Sequence, residues 1–278
     1  MTPFTAWTPD AAAARIAVPG EHDDKYTRGV LGVVTGSTMY PGAAVLGVEA
    51  ALRTGVGMVR YLGEAADLVL QRRPEVVTAD GRVQAWLLGS GMDHVDRQLV
   101  PLHRALDQGL PTILDGGALD LHDRARGPVV ITPHLGELAR VLAVPKAEIA
   151  ADPGAWAVRA ADRLGVTVLL KGHTTFVVGP GVALTVSQAP SWLATAGAGD
   201  ALAGILGSLV ATHADAITAD PAELARLAAT AAVIHGLAAA RASAGGPLTI
   251  LDLCAAVPAT IAALLASASV PRARGKLR

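Results

Sequence analysis

The sequence is poor in cysteine and in charged residues, and both shortages narrow the functions open to it. Cys254 is the single cysteine among 278 residues, so no disulfide can form within the chain, which suits a reducing compartment. Charged residues make up only 17% of the chain, with a formal net charge of −1, which argues against a general nucleic-acid binder or a ligand of acidic membranes. We therefore expect a cytoplasmic protein without a nucleic-acid partner.

Signals for targeting and membrane insertion are also weak. The first ten residues, MTPFTAWTPD, have neither the basic segment nor the apolar segment of a signal peptide. The uncharged run at 253–271 approaches the length of a membrane span, but Ala, Ser and Thr dominate it and Pro258 interrupts it. We expect a buried or interface helix there and no membrane association.

The composition favours a large folded core instead. Hydrophobic residues make up 51% of the chain and there are 30 glycines, so disorder is not expected. Short apolar runs alternate with amphipathic stretches, which predicts an α/β fold with a mostly parallel central sheet and helices on both faces. The predicted strands cover residues 29–36, 57–63, 75–79, 85–91, 111–117, 128–134, 166–172 and 174–179, with a further candidate at 182–187.

The predicted helices divide into two groups. Two of them, at 94–109 and 153–165, lie between predicted strands, and three more, at 200–212, 221–243 and 251–267, fill the last third of the chain. No repeat or long linker divides the sequence. We expect an N-terminal arm at 1–24 with one short helix, a single catalytic domain at 25–270 and a basic tail at 271–278.

Polar residues follow several of the predicted strands at once. In parallel sheets, ligands bind beyond the carboxyl ends of the strands, so residues at these positions are candidates for a common site. One such residue alone is an ordinary strand terminator, but five groups together point to a ligand site. They are Gly36-Ser37, Gly89-Ser90-Gly91, Asp115, His134 and Lys171-Gly172.

The stretch TAGAGDALAGILGSLVA (195–211) places one carboxylate, Asp200, where a long apolar helix begins. Small residues and unpaired N–H groups at a helix start form an anion hole suited to a phosphate. A carboxylate beside that hole can accept the proton of a hydroxyl that attacks the phosphate. The local chemistry is equally compatible with Asp200 acting only as the N-cap of the helix.

Two further stretches have a binding and a structural interpretation. KGHTT (171–175) can hold nucleotide phosphates or ribose, or can simply be a hairpin turn between two strands. TPHLGE (132–137) places His134 and Glu137 at a helix start, where they can line a ligand pocket or cap the helix.

Several common motifs are missing from the sequence. The stretch VTGSTMYPGAA (34–44) lacks the GK[ST] of a Walker loop and the GxGxxG of a dinucleotide fingerprint. Cys254 is expected in the core. The histidines other than His134 show no metal-ligand spacing, so by default they are interpreted as surface or core residues: His22, His94, His103, His122, His173, His213 and His235.

From about residue 25 to about residue 243, the chain resembles the NAD(P)H-hydrate dehydratases, repair enzymes of ribokinase-like, three-layer fold. The wider ribokinase-like group shares the GAGD element, and the combination with PGAA, TPHLGE and KGHTT in this order is specific for the dehydratases. Further stretches that carry the resemblance are LLGSGM, ILDGGAL, VLLKGHTTFVV and AAVIHGLAAA.

The resemblance implies an enzyme that uses ADP or ATP, with Mg²⁺, to dehydrate hydrated NADH or NADPH (NADHX, NADPHX). It also implies a homo-oligomer, often a tetramer in the family, and an NAD(P)H-hydrate epimerase as functional partner. By the same resemblance, Asp200 is the catalytic base and the backbone of Gly197 and Gly199 stabilises the transferring phosphoryl group. The implied nucleotide-binding residues are Lys171, Gly172, His173, Thr174, Thr175 and Gly199, and the implied substrate-binding residues are Ala43, Gly91, His134 and Asp200; no metal ligands are assigned.

The chain departs from the family pattern at three positions. Gly117 replaces a second acidic residue, which leaves Asp115 alone in its stretch, and Asp93 and Ala239 stand where glycine is usual. Two alternatives remain open: a kinase of the same fold that phosphorylates a small alcohol, such as a thiazole or hydroxymethylpyrimidine vitamin precursor, and a nucleotide-binding regulator without catalysis.

Overall fold

The computed structural model describes residues 3–92 and 98–269, and these form a central nine-stranded sheet between layers of helices. Residues 93–97 lie outside the described residues; they include Asp93, His94 and the start of the predicted helix at 94–109. The basic tail also lies outside them. The strands are β1 (Thr5–Ala6), β2 (Val30–Val34), β3 (Met58–Tyr61), β4 (Ala85–Leu88), β5 (Thr112–Leu114), β6 (Val129–Ile131), β7 (Thr167–Leu170), β8 (Thr175–Gly179) and β9 (Val182–Val186).

The strand order is β1-β9-β8-β7-β6-β5-β4-β2-β3. The strands from β3 to β7 are all parallel, whereas β8 runs antiparallel to both of its neighbours. Strands β4, β5, β6 and β7 are therefore adjacent in space in their chain order. This arrangement brings the residues that follow these four strands to one edge of the sheet.

Helices cover both faces of the sheet because the strand side chains point alternately to the two sides. Leu31 and Val33 of β2 belong to one buried cluster, and Val30 and Val34 belong to the other. The first cluster includes α1 (Pro9–Ala13), α2 (Gly42–Thr54), α3 (Ala66–Arg72), α8 (Ala198–Thr212), α9 (Ala214–Ala219), α10 (Glu223–Ser243) and α11 (Ile250–Ser269). The second includes α4 (Leu99–Leu106), α5 (Leu135–Leu142), α6 (Lys146–Ala151) and α7 (Pro153–Leu164). The predicted three-layer α/β architecture is confirmed.

Helices α2 and α8 lie backbone against backbone. A Cβ atom added to Gly204 of α8 would lie 2.1 Å from the carbonyl oxygen of Gly47 in α2, so only glycine fits at position 204. On Gly47 itself, a Cβ would lie 3.5 Å from the carbonyl oxygen of Asp200. This contact fixes the first turn of α8, and with it Asp200, relative to α2.

The structure differs from the sequence prediction in two segments. Residues 75–79 form no strand: Val77 makes only an isolated bridge with Arg60, while Val76 is buried by packing. The N-terminal arm contains an unexpected strand, β1, which pairs with β9 at the sheet edge before the short helix α1 begins. Two polar or small residues give no apolar run, which is why β1 has no signal in the sequence.

Among the described residues, two helices are long and apolar enough to cross a membrane, and both pack against other helices of the protein. Buried residues make up 78% of the apolar window of α10 and 33% of that of α11, which contacts α10 and α2. The predicted helix at 251–267 is thus present, as a partly covered outer helix. Buried core helices pass the same length and composition test, so α10 gives weak support for a membrane span.

Candidate active site

Side chains from four neighbouring strands meet at the carboxyl edge of the sheet around Asp115, which is only 4% exposed. Its Oδ1 accepts hydrogen bonds from Thr132 Oγ1 at 2.7 Å and Lys171 Nζ at 2.9 Å, and its Oδ2 accepts one from Ser90 Oγ at 3.0 Å. Lys171 Nζ also lies 3.6 Å from Glu137 Oε2. Of the five strand-end groups predicted to form a common site, those of Ser90, Asp115 and Lys171 therefore meet in one charge cluster, and the Gly36 N–H donates to the Ser90 carbonyl beside it.

The charges of this cluster stabilise one another. Burial favours the neutral form of Asp115, but the nearby charge of Lys171 and the three hydrogen bonds outweigh it and lower the pKa of Asp115. Burial likewise works against the charged form of Lys171, but the charges of Asp115 and Glu137 raise the pKa of Lys171 above its ordinary value. At neutral pH the pair is an ammonium–carboxylate ion pair.

The ammonium of Lys171 lies against the start of helix α8. A Cβ atom on Gly199 would come within 3.2 Å of Lys171 Nζ, so the absence of a side chain lets the cation approach the backbone. Gly197 is the N-cap of α8 and adopts a left-handed conformation with φ 88°. The free N–H groups of the first helical turn therefore lie beside the Lys171 ammonium, and both attract anions.

Asp200 lies in this first turn but does not cap the helix, because the N-cap is Gly197 and no side-chain cap hydrogen bond forms. Burial is the main cause that raises the pKa of Asp200 to about 7; the charge of Asp115 adds to the rise, Lys171 opposes it and Glu137 adds a smaller contribution. A carboxylate with a pKa near neutrality is suited to accept and release a proton. The alternative interpretation of Asp200 as the N-cap of α8 is therefore wrong.

A cavity of about 670 Å³ opens in front of Lys171 and Gly199. Its volume is in the range of small-molecule and cofactor sites. Its wall contains both polar and apolar residues: His134, Lys171, Gly172, His173, Thr175, Val186, Gln188, Ala189, Pro190, Ser191, Leu193, Ala194, Thr195, Ala196, Ala198, Gly199, Leu202, Ala232 and His235.

The KGHTT stretch is both a hairpin turn and part of this cavity wall. It joins β7 to the antiparallel β8, as the structural interpretation predicts, while Lys171, Gly172, His173 and Thr175 line the cavity. Thr174 is the exception, since its hydroxyl lies 3.2 Å from Ser187 Oγ and the residue is not part of the wall.

The other predicted residues lie beside the cavity. A Cβ on Gly91 would lie 2.4 Å from Ala43 Cβ, so these two residues are in contact at the carboxyl edge of β2 and β4. Ala43 precedes Gly47 by about one turn of α2, and Gly47 contacts the start of α8. Gly197 faces Leu46. Ala43, Gly91, Gly197 and Asp200 are thus grouped around the other side of the α8 N-terminus and do not line the cavity wall.

His134 caps helix α5 and still presents its ring to the cavity. Its Nδ1 accepts hydrogen bonds from the N–H groups of Gly136 and Glu137, at 3.0 and 3.1 Å, and Glu137 Oε2 accepts one from the His134 N–H at 2.7 Å. The side chain is nevertheless 60% exposed. Because Nδ1 is an acceptor, the neutral ring has its proton on Nε2.

Two parts of the cavity wall were not predicted from the sequence. One is the segment 188–194, which contains a short 3-10 helix (Ser191–Leu193) and has no periodic pattern that would identify it. The other is His235, which the default interpretation treats as a surface or core residue. It is 7% exposed, lines the cavity, and its buried Nε2 has no hydrogen-bond partner in the protein. Burial is the main cause that lowers the pKa of His235 to about 4, so the ring is neutral.

The described residues contain no cluster of three or more His, Cys, Asp or Glu side chains that could hold a metal ion. Two carboxylates near the cavity are already engaged, Asp115 by Lys171 and Glu137 by the backbone of His134. Gly117, which replaces the expected second acidic residue, lies in a 3-10 helix where its N–H donates to the Gly89 carbonyl. The described side chains therefore do not form a metal site by themselves.

Relatives match this chain over most of its length. It is 45% identical over 213 residues to the bifunctional NAD(P)H-hydrate repair enzyme Nnr of Mycobacterium tuberculosis, a match that covers 72% of this chain and 44% of that protein. The chain thus spans less than half the length of this relative. It is also 35% identical over 246 residues to the ADP-dependent (S)-NAD(P)H-hydrate dehydratase of Xanthomonas campestris, with 79% and 85% of the two chains covered.

The fold is also found among solved structures. The ADP/ATP-dependent NAD(P)H-hydrate dehydratase of Bacillus subtilis, co-crystallised with ATP/Mg²⁺, superposes with a TM-score of 0.85 over 95% of this chain and all of that chain, at 24% identity. This likeness confirms the ribokinase-like fold. The sequence model of one family, described as NAD(P)H-hydrate dehydratase, matches residues 31–256. The chain therefore belongs to the NAD(P)H-hydrate dehydratase family.

Proposed function

We propose that this protein dehydrates hydrated NADH or NADPH back to the normal cofactor at the expense of ADP or ATP. The observation that carries the proposal is Asp200, a half-buried carboxylate whose pKa is raised to about 7, in the first turn of a helix that begins beside a nucleotide-sized cavity. Family membership favours this reaction over phosphorylation of a small alcohol. The basic carboxylate also argues against a regulator that binds nucleotide without catalysis.

The reaction has two steps. The hydroxyl of the hydrated ring attacks the terminal phosphoryl group of the nucleotide, an O–P bond forms, and the bond to the leaving nucleotide breaks. Asp200 accepts the hydroxyl proton during this attack. The ring then loses phosphate and a proton, which restores the ring double bond. The products are NADH or NADPH, phosphate, and a nucleotide one phosphate shorter.

The two groups of residues around the α8 N-terminus suit two ligands. The cavity would hold the nucleotide through Lys171, Gly172, His173, Thr175 and Gly199; Thr174, which lies behind the wall, remains the weakest of the implied contacts. The hydrated cofactor would lie on the side of Ala43 and Gly91, with His134 at the junction. Asp200 follows Gly199 directly, so its carboxylate would meet the hydroxyl where the two ligands approach each other.

Mg²⁺ would arrive with the nucleotide. Magnesium keeps several waters and is commonly bound by substrate phosphates and few protein ligands, which agrees with the lack of a metal cluster among the described residues. When bound, it would neutralise phosphate charge. A homotetramer, an epimerase acting on the other form of the hydrated cofactor, and a cytoplasmic location remain proposals. The matched bifunctional relatives are compatible with a second repair activity alongside this one.

The direct test combines purified protein, Mg²⁺, hydrated NADH or NADPH, and either ADP or ATP. Recovery of the absorbance of the reduced nicotinamide that requires a nucleotide would support the proposal and identify the phosphoryl donor. Tight nucleotide binding without recovery would contradict it. A screen of small alcohols for phosphorylation would then test the kinase alternative.

His134 allows its two roles to be separated by substitution. We expect His134→Ala to lose the α5 cap, which costs about 1 kcal/mol of stability, and also to raise the KM for the hydrated cofactor more than that for the nucleotide. His134→Asn keeps a cap acceptor but loses the ring, so it should raise the same KM at nearly wild-type stability. Urea unfolding and steady-state kinetics measure the two effects. If His134→Asn had the wild-type KM for the hydrated cofactor, His134 would have only a capping role.

His235 is expected to supply a polar contact to the bound nucleotide. His235→Phe removes the buried Nε2, which has no hydrogen-bond partner in the protein, and also the ring hydrogen bond to the backbone of Ala198. We therefore expect it to cost about 1 kcal/mol of stability without nucleotide. Nucleotide affinity should fall about fivefold, the equivalent of one lost hydrogen bond of about 1 kcal/mol. Calorimetric titration with ADP or ATP measures this, with His103→Phe on α4 as the matched control. If His235→Phe bound the nucleotide as tightly as the wild type, His235 would be a core residue without a role in nucleotide binding.

A further inference from the structure

The Lys171 ammonium lies where a positive charge is unfavourable unless an anion is close by. It lies against Gly199 in the first turn of α8, where the helix dipole and the free N–H groups are already positive. Lys171 is also mostly buried, with its side chain 19% exposed. A cation held at such a place needs a compensating anion, and the structure provides Asp115 at 2.9 Å, with Glu137 at 3.6 Å.

Asp115 is itself held in place from three sides. Its hydrogen-bond donors, Ser90, Thr132 and Lys171, follow strands β4, β6 and β7, while Asp115 follows β5. Its backbone N–H donates to the carbonyl of Leu88 in β4. The carboxylate therefore has little freedom to move, and the ammonium that it binds is fixed with it.

Two positive groups consequently face the same end of the cavity. Lys171, Ala198 and Gly199 all line it, so the ammonium and the helix N-terminus point toward one bound group. A group that carries more than one negative charge, such as the terminal phosphoryl group of a nucleotide, matches this pair better than a ribose or a base does.

We propose that Asp115 is a positioning residue of the phosphoryl-transfer site: it holds the Lys171 ammonium against the first turn of α8, where that cation faces the phosphoryl group being transferred. The inference rests on the proposed function. It assigns Lys171 to the reacting phosphate, and it gives a role to the carboxylate that remains in a stretch where the second acidic residue is replaced by Gly117.

The proposal predicts that the effect of Asp115 on the pKa of Asp200 depends on Lys171. Among the described residues, the charged groups that act on the Asp200 carboxylate are Asp115, Lys171 and Glu137. Lys171→Met removes a positive charge, so the pKa of Asp200 should rise. In the Lys171→Met background, Asp115→Asn removes only a negative charge, so it should lower that pKa. In the wild-type background, Asp115→Asn also releases the Lys171 ammonium, so the fall should be smaller or should become a rise.

The experiment measures the pKa of Asp200 without relying on turnover. The ¹³C shift of its carboxyl carbon is followed against pH in nucleotide-free wild-type protein, Asp115→Asn, Lys171→Met and the double variant of the two, with the resonance assigned by Asp200→Asn. Asp107→Asn, on the turn that leads to the opposite edge of the sheet, is the matched control and should leave the pKa unchanged. Equal falls on Asp115→Asn with and without Lys171 would show that Asp115 does not hold Lys171 in place, and would overturn the proposal even if the protein proves to catalyse another reaction.

Kinetics then test positioning. We expect Asp115→Asn to lower kcat by about 10- to 100-fold with little change in nucleotide affinity, because it loosens a contact made to the transferring group. The double variant Asp115→Asn/Lys171→Met removes both members of the buried pair and leaves Glu137 bound to the His134 N–H, so it should fold even where the single variant does not. Its kcat should equal that of Lys171→Met. A further fall in the double variant would show that Asp115 acts independently of Lys171 and would contradict the proposal. Wild-type protein without turnover would instead refute the proposed function, while the ¹³C titration still tests the inference.

Discussion

Asp200→Asn is expected to lower kcat by about 10²- to 10⁴-fold, because the amide cannot accept the proton of the attacking hydroxyl. The substitution keeps the size of the side chain and leaves the backbone of Gly197 and Gly199 in place. Nucleotide binding should therefore be retained, since the cavity and the helix N-terminus do not change. Steady-state turnover and calorimetric titration with ADP or ATP measure the two quantities on the same preparation.

The matched control for this variant is Asp215→Asn, an exposed Asp on α9, beyond the other end of α8. It should have wild-type turnover. Full activity in Asp200→Asn would remove the proposed mechanism, and a loss of nucleotide binding equal to the loss of turnover would make Asp200 a structural residue.

The same substitution should stabilise the protein at alkaline pH. The pKa of Asp200 is about 7 in the folded protein, against an ordinary value of 3.8. Between these values the folded state binds more protons than the unfolded state, so this carboxylate makes stability fall as pH rises through that window. Asp200→Asn has no such titration. Its thermal midpoint should exceed that of the wild type at about pH 8, and the difference should disappear near pH 4. A variant less stable at both values would contradict the raised pKa.

Much of the fold could be predicted because parallel strands are buried on both faces and appear in the sequence as continuous apolar runs. The runs around β2, β4 and β7 are of this kind. Residues 75–79 also contain adjacent valines, but they form only an isolated bridge with β3, and Val76 is buried without belonging to a strand. Composition alone does not distinguish such a segment from a strand. The pairing of β1 depends on its position beside β9 and has no local signal.

The candidate site could be predicted only to the level of which residues lie at strand ends. That Asp115 receives hydrogen bonds from Ser90, Thr132 and Lys171 depends on β4, β5, β6 and β7 being neighbours, and the sequence does not specify strand order. For His235, the surrounding α10 is apolar on all sides, so nothing in the pattern separates a cavity-lining histidine from a core one. The pKa of Asp200 likewise depends on burial and on charges that are distant in the chain.

Gly204→Ala is expected to destabilise the protein by about 2 kcal/mol or more, the largest stability effect that we predict for a single methyl group. The added Cβ would lie 2.1 Å from the carbonyl oxygen of Gly47, and 3.0 Å from the Cβ of Ala50. Backbone cannot rotate away as a flexible side chain can, so α2 and α8 must separate, and overpacking of this kind typically costs about 1–3 kcal/mol or more. The higher helix propensity of alanine returns at most about 1 kcal/mol.

Gly42→Ala is the matched control, because it makes the same change in the first turn of α2, where a Cβ would meet no atom within 4 Å. Its urea unfolding midpoint should equal or slightly exceed that of the wild type. Separation of the two helices would also move Asp200 away from Ala43, so the folded Gly204→Ala protein should have a higher KM for the hydrated cofactor while its nucleotide affinity changes less. If Gly204→Ala were as stable as Gly42→Ala, the α2–α8 contact could not be what fixes Asp200 in place, and the position of the base would have to depend on the Lys171–Asp115 pair instead.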